Sequence, residues 1–327
     1  MATQANGRRD RAWLLAALGV LTAFMIGELV AGLLANSLAL VADAGHMLTD
    51  VGALLLAVIA SRIAERPARG AFTYGFARAD VLSGQANGIT LVLLAVWFVV
   101  EGVRRLIHPE SVQGVVVIVV ASIGIVVNAV ATWLASRANR RGLNVRGVLA
   151  HLVTDVWSFG STLAAGIVIT VTGWLRADAV ASLVVAGLMF WTGGGLVRAA
   201  NRVFLEAAPI GVNPAEVGAE MAAVEGVASV HDLHVWELGG QNSALSAHVL
   251  VHPTLDCHEV ADRLRRRLAV GHGIEHVTLQ VDHADDRTAH RADGCVEAHG
   301  EVHLSPAENV QTRRPPAGNA RATRLPD

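Results

Sequence analysis

Charge is scarce in this chain. Asp, Glu, Lys and Arg make up 17% of its 327 residues, against 53% hydrophobic. So low a charged fraction excludes an ordinary soluble domain. The formal net charge of -2 leaves no basic footprint for nucleic acid, so no nucleic-acid partner is expected. Cysteine is nearly absent: Cys257 and Cys295 form no CxxC pair and no disulfide framework, which fits a reducing compartment. No GxxxxGK[ST] phosphate loop is present, which argues against an ATP-driven pump, and no HExxH motif marks a zinc hydrolase.

What the chain does have is long apolar runs. Six of them, at about Trp13–Leu34, Leu38–Ile63, Val81–Val100, Val115–Leu134, Val148–Trp174 and Val180–Val197, are long enough for a ~30 Å hydrocarbon core. The first follows Arg8, Arg9 and Arg11 as a signal peptide would, but it is too long for a signal h-region and reads as a spanning helix. The short Ala35-Asn36-Ser37 connection makes spans one and two a tight antiparallel hairpin. Arginines set the orientation. They cluster at the N-terminus, between spans two and three (Arg62, Arg66, Arg69, Arg78), between four and five (Arg137, Arg140, Arg141, Arg146), and after span six (Arg198, Arg202). The other side carries Arg104 and Arg105 beside Glu101 and Glu110, and Arg176 beside Asp178. Excess positive charge marks the cytoplasmic side, so both termini are expected there.

From about Phe204 the pattern turns soluble. A helix over Pro214–Val224, strands over Val230–Glu237 and Ala244–Val251, an amphipathic helix over Leu255–Ala269 and a strand over Val277–Asp282 are expected from the periodicities. The order α-β-β-α-β suits a small α+β sandwich. After His283 the sequence is polar and contains Arg313-Arg314-Pro315-Pro316, which reads as disordered. The expected organisation is a cytoplasmic segment over 1–11, a six-helix membrane domain over 12–203, a cytoplasmic α-β-β-α-β domain over 204–283 and a tail over 284–327.

Two motifs carry chemistry. His46-Met47-Leu48-Thr49-Asp50 lies in span two and His151-Leu152-Val153-Thr154-Asp155 in span five. A spacing of four stacks imidazole and carboxylate on one helix face. A carboxylate at mid-membrane costs about 2.5–3.5 kcal/mol on the insertion scale, so intramembrane acids point to use. In the derived topology spans two and five are antiparallel, which sets His46 level with Asp155 and Asp50 level with His151, all within ~6 Å of axial rise. Two His and two Asp form a complete four-coordinate N/O site, nearly neutral when a divalent ion fills it. The competing reading is two structural hydrogen bonds. Asp43 shares the face of His46 and Asp50 and is a candidate acid behind the site, in an outer vestibule or in a proton path. Glu28 is a candidate for that path or a structural interhelical partner. Asn87 and Asn128 read as helix-packing contacts, and Gly193, Gly194 and Gly195 as sites of close packing or a bend.

These residues resemble the cation diffusion facilitator family of zinc transporters. The runs Gly27-Glu28-Leu29-Val30-Ala31-Gly32 and Asn36 to Asp50 are similar to that family's first hairpin. Phe72-Thr73-Tyr74-Gly75 is similar to its loop before span three, and Asn144-Val145-Arg146-Gly147 leads into a similar fifth helix. The resemblance covers about residues 12 to 283. It implies six spans, a cytoplasmic ferredoxin-like domain, a homodimer in a bacterial plasma membrane, and proton-coupled efflux through His46, Asp50, His151 and Asp155. Zn2+ is the implied cargo, with Cd2+ and Co2+ as further candidates, and no organic cofactor is implied. Val230-His231-Asp232-Leu233-His234-Val235-Trp236, Ser246-Ala247-His248 and Leu279-Gln280-Val281-Asp282 resemble the family's metal-binding strands. They imply a regulatory zinc site of His231, His248 and Asp282, with His234 as an alternative or second-metal ligand. The competing account of His234 is a strand-face residue. Tail residues His290, Cys295, His299 and His303 are weaker candidates for loose metal binding.

Other classes stay open on the residues alone. A membrane metalloenzyme would keep an open coordination position beside a substrate cleft. An organic-substrate transporter would use the acids without metal, and a sensor would bind zinc and move none.

Overall fold

The computed structural model describes residues 2–64, 66–137, 145–239, 242–284 and 300–306. The chain divides into two compact units. One comprises Met1–Pro67 with Ala79–Ala200, the other Ala68–Arg78 with Asn201–Asp327.

The first unit contains six helices: α1 (Ala2–Ala35), α2 (Leu38–Ala64), α3 (Ala79–Ile107), α4 (Gly114–Arg137), α5 (Val145–Thr172) and α6 (Arg176–Phe204). Among the described residues, three of these, α3, the Gly114–Ala131 part of α4, and α6, are long and apolar enough to cross a membrane; shorter apolar helical stretches cover Gly19–Ala35, Leu38–Thr49 and Trp157–Thr172. The unit wears its large apolar side chains outside: Leu34, Trp97, Val171 and Trp191 are exposed. Inside it buries Glu28, Asp43, His46, Asn128, Ser158 and Asp178. That distribution inverts the soluble pattern and suits a lipid surround.

Local chemistry explains the joints. Asn36 takes a left-handed conformation (φ 54°), which ends α1 where asparagine is tolerated. The Ser37 hydroxyl then accepts the Leu40 amide at 3.2 Å, an N-cap for α2. Asp178 of α6 reinforces this cap, accepting the Leu38 amide at 2.6 Å and the Ser37 hydroxyl. Beside the same turn, Arg105 donates to the Asn36 carbonyl at 2.7 Å, and Arg104 and Arg105 pair with Glu101 and Glu110. The two arginines of this end are thus offset by acids. Gly88 of α3 and Gly193 of α6 meet face to face: a Cβ on either would lie 2.8 Å from the other's carbonyl oxygen. Gly193 is therefore a close-packing residue. Leu38, Ala42, Leu91, Phe98, Val185 and Met189 fill the core between α2, α3 and α6.

The second unit has α7 (Pro214–Ala222), β1 (Val227–Gly239), β2 (Asn242–Val251), α8 (Cys257–His272), β3 (His276–His283) and β4 (His303–Leu304). Asn213 caps α7 ahead of Pro214, and Asp256 caps α8, which ends at left-handed Gly273. The sheet order is β3-β2-β1-β4. β1 and β2 are antiparallel with His231 opposite His248, and β2 and β3 are parallel with His248 beside Gln280. Val217, Met221, Val230, Leu245, Val249, Leu264 and Leu268 form the core that the two helices close on one sheet face.

Two features depart from expectation. Part of the tail, read above as wholly disordered, is an edge strand: β4 pairs Ser229 with Leu304 and Val230 with His303. The Ser305 amide donates to the Ala228 carbonyl at 2.9 Å, and the His303 ring packs against Gly218. An unpaired edge gains partners this way, which outweighs the segment's polar composition. Second, the 68–78 connection belongs to this unit rather than the membrane one. Tyr74 stacks edge-on against His276 at 5.7 Å, Arg78 pairs with Glu206 at 3.4 Å, and Gly239 (φ 111°) lets β1 approach Ala77.

Candidate metal centres

In the membrane unit, α2 and α5 are joined at two levels. Ser158 donates to Asp43 Oδ1, and His46 Nε2 lies 3.9 Å from Asp155 Oδ1. Index rises along α2 as it falls along α5, so the helices are antiparallel. The structure therefore brings His46 and Asp155 together. Asp50 and His151 lie on the same two helices, one turn further along, at a common level by the same register; their side chains lie outside the described residues.

His46 and Asp155 side chains are 4% and 14% exposed. Their separation exceeds a hydrogen bond. It is about half an ångström more than the ~3.3 Å edge between two donors on a tetrahedral zinc with ~2.0–2.1 Å bonds. Around the pair, Asn128 of α4 donates to Asp155 Oδ2 at 2.9 Å, and Thr49 donates to the His46 carbonyl at 2.6 Å. Asn128 is thus more than the helix-packing contact read from sequence. Glu28 of α1 is buried and interacts with Asp43. The two acids singled out in sequence therefore sit together, one turn from His46.

In the second unit, the open sheet face carries the other set. His231 and His248 have ring centroids 5.4 Å apart. Asp232 sits at the register shift between His231 and His234 in a left-handed conformation (φ 51°). From there its Oδ1 reaches His234 Nε2 at 3.0 Å and its Oδ2 lies 3.8 Å from His248 Nε2. Sequence reading passed over Asp232 as a candidate; its only signal is its place between two histidines. Gln280 donates to Asp282 at 3.0 Å, and the Asp282 charge acts on His231. Partial burial, then the neighbouring His248, holds the His231 imidazole below its ordinary pKa, while Asp232 and Asp282 oppose this. A neutral imidazole is the ligating form. Among the described residues, no three His, Cys, Asp or Glu side chains are drawn together as a finished metal site. The donors are adjacent rather than closed around a point. His303 packs on the helical side, away from this set, and the other tail candidates, His290, Cys295 and His299, lie outside the described residues.

Comparison with known proteins matches residues 14–205 to the cation efflux transmembrane domain and 211–284 to the cation efflux protein cytoplasmic domain. A "Cadmium, cobalt and zinc/H(+)-K(+) antiporter" of Bacillus velezensis is 32% identical, over 89% of this chain and 93% of that protein. The "Zinc transporter ZitB" of Escherichia coli is 34% identical over 85% and 88%. The "Metal cation efflux system protein CzcD" of Cupriavidus metallidurans is 33% identical over 81% and 84%. A solved metal-bound C-terminal domain of the CzcD transporter matches 22% of this chain and 99% of that one, at 38% identity and TM-score 0.21.

Proposed function

We propose that this chain, which belongs to the cation diffusion facilitator family of cation efflux transporters, exports Zn2+ in exchange for protons through an intramembrane site of His46, Asp50, His151 and Asp155. The chain is a membrane transporter and not an enzyme. The observation that carries the reading is the buried juxtaposition of His46 and Asp155 across α2 and α5. An imidazole and a carboxylate so held, each followed or preceded by its partner one turn away, supply the borderline N/O donor set that zinc prefers. Cd2+ and Co2+ are further cargo, as the relatives' names say of those proteins.

The membrane domain crosses six times with both termini in the cytoplasm of a bacterial plasma membrane. Zinc enters the deprotonated site from the cytoplasm, the helices rearrange, and protons displace it on the outer side, because the ligands bind metal only when deprotonated. Exporting a divalent ion against ~100 mV costs roughly 4.6 kcal/mol. Each entering proton returns about 2.3 kcal/mol from that potential and about 1.4 kcal/mol per pH unit. Two protons therefore cancel the electrical work. The C-terminal domain, ferredoxin-like in its α-β-β-α-β order, supports a homodimer. Its open face, His231, His248 and Asp282 with His234 and Asp232 beside them, would hold a regulatory zinc by nitrogen and oxygen donors.

The test is zinc flux in proteoliposomes under an imposed pH gradient. Zinc should move against the proton flow, reverse with the gradient and stop with a protonophore. Zinc bound but never moved would make the protein a sensor.

A further inference from the structure

The two oxygens of Asp155 do different things. Oδ1 faces His46 Nε2 at 3.9 Å, and Oδ2 accepts Asn128 Nδ2 at 2.9 Å. The amide must present its nitrogen here, since its oxygen would oppose a carboxylate. Asn128 is 8% exposed, in the Gly114–Ala131 stretch of α4 whose other polar side chain is Ser122. A buried polar group in such a place is held to its partner, because losing it would leave a buried amide unpaired.

The spacing that permits this bond is itself fixed. One turn before Asn128, Gly124 packs directly against the Phe159 ring, one turn beyond Asp155; a Cβ at Gly124 would collide with it. The Phe159 ring is also buried against Phe24 of α1, with centroids 5.9 Å apart. The Gly124–Phe159 contact thus sets how near α4 lies to α5 at the level of the carboxylate.

We propose that Asn128 is a positioning residue that holds Asp155 as a one-oxygen donor and so biases the site toward small tetrahedral cations. The inference rests on the transport-site reading above. A carboxylate with one oxygen engaged by a buried amide offers a cation its other oxygen. Four donors giving one atom each make the tetrahedron that zinc takes. Larger cations gain from carboxylates that swing to bind through both oxygens and raise the coordination number. The bond to Asn128 opposes that swing. Hydrogen-bonded partners of metal ligands change affinity or activity about 10–100-fold when removed.

The experiment compares Zn2+ and Cd2+ flux in proteoliposomes for the full chain, Asn128→Ala, the near-isosteric Asn128→Leu, and Asp155→Ala. Either Asn128 variant should lower zinc flux by about 10-fold with a smaller fall for cadmium, so the zinc-to-cadmium ratio drops. The leucine variant keeps the packed volume, and the ratio is independent of how much protein is recovered. Equal falls for both metals, or no change, with Asp155→Ala inactive, would reduce Asn128 to helix packing and overturn the inference. Wild-type zinc flux in Asp155→Ala would overturn the transport-site reading itself.

Discussion

The molecule carries histidine and aspartate together twice, and the two settings differ in what surrounds them. In the helical unit, His46 and Asp155 sit on separate helices with almost no exposure, and Asn128, Thr49, Asp43 and Ser158 tie their surroundings together. On the sheet, His231 and His248 face each other across one ladder step, and His234 stands half exposed beside Asp232. Water can solvate the second set and cannot readily reach the first. A buried set of ionisable ligands is costly to leave charged unless an ion or protons occupy it. That is the requirement for exchange transport. A solvated set on a sheet face binds and releases with little reorganisation, which suits a sensor.

Substitutions in either unit test this contrast. The largest effect is expected for His46→Ala, which should lower zinc flux to background, a larger fall than the about 10–100-fold typical when a hydrogen-bonded partner of a metal ligand is removed. Next, Gly193→Leu forces a side chain into the α3 backbone at Gly88 and should destabilise the helical unit by about 1–3 kcal/mol, read as a lower detergent melting temperature with the sheet unit unchanged. Then His248→Ala should leave zinc export running but shift its zinc dependence a few-fold, measured as flux against free zinc. An effect on maximal flux as large as that of His46→Ala would erase the distinction between the two sites.

The smallest effect concerns pH. His231 is held below its ordinary pKa, chiefly by burial. The unfolded state then binds the proton more readily than the folded one. The stabilisation is present above the unfolded value of about 6.5 and is lost as pH falls through the lower, folded value. In the full chain with metal chelated, amides of β1 and β2 should lose exchange protection as pH drops below that window. His231→Gln should flatten the loss.

Much of this was legible in the sequence, for physical reasons that also mark where legibility ends. Apolar length placed the helices, and the four-residue spacing with antiparallel spans anticipated His46 beside Asp155. Alternation placed β1, β2 and β3. The role of Asn128 is less legible, because the Gly114–Ala131 stretch of α4 is apolar but for Ser122 and Asn128, and hydropathy cannot say which face meets α5. Asp232 depends on a left-handed kink within a strand at a non-glycine residue, which periodicity does not encode. The β4 strand is too short for a period, and its reason is a free edge elsewhere in the fold. The allegiance of residues 68–78 to the C-terminal unit rests on tertiary contacts such as Tyr74 with His276.

The most direct measurement is gradient-driven zinc flux in proteoliposomes for Asp155→Ala beside His231→Ala. An intramembrane transport site distinct from the sheet site predicts no flux in the first and retained flux with altered zinc response in the second. Wild-type flux in Asp155→Ala, or abolished flux in His231→Ala alone, would contradict it.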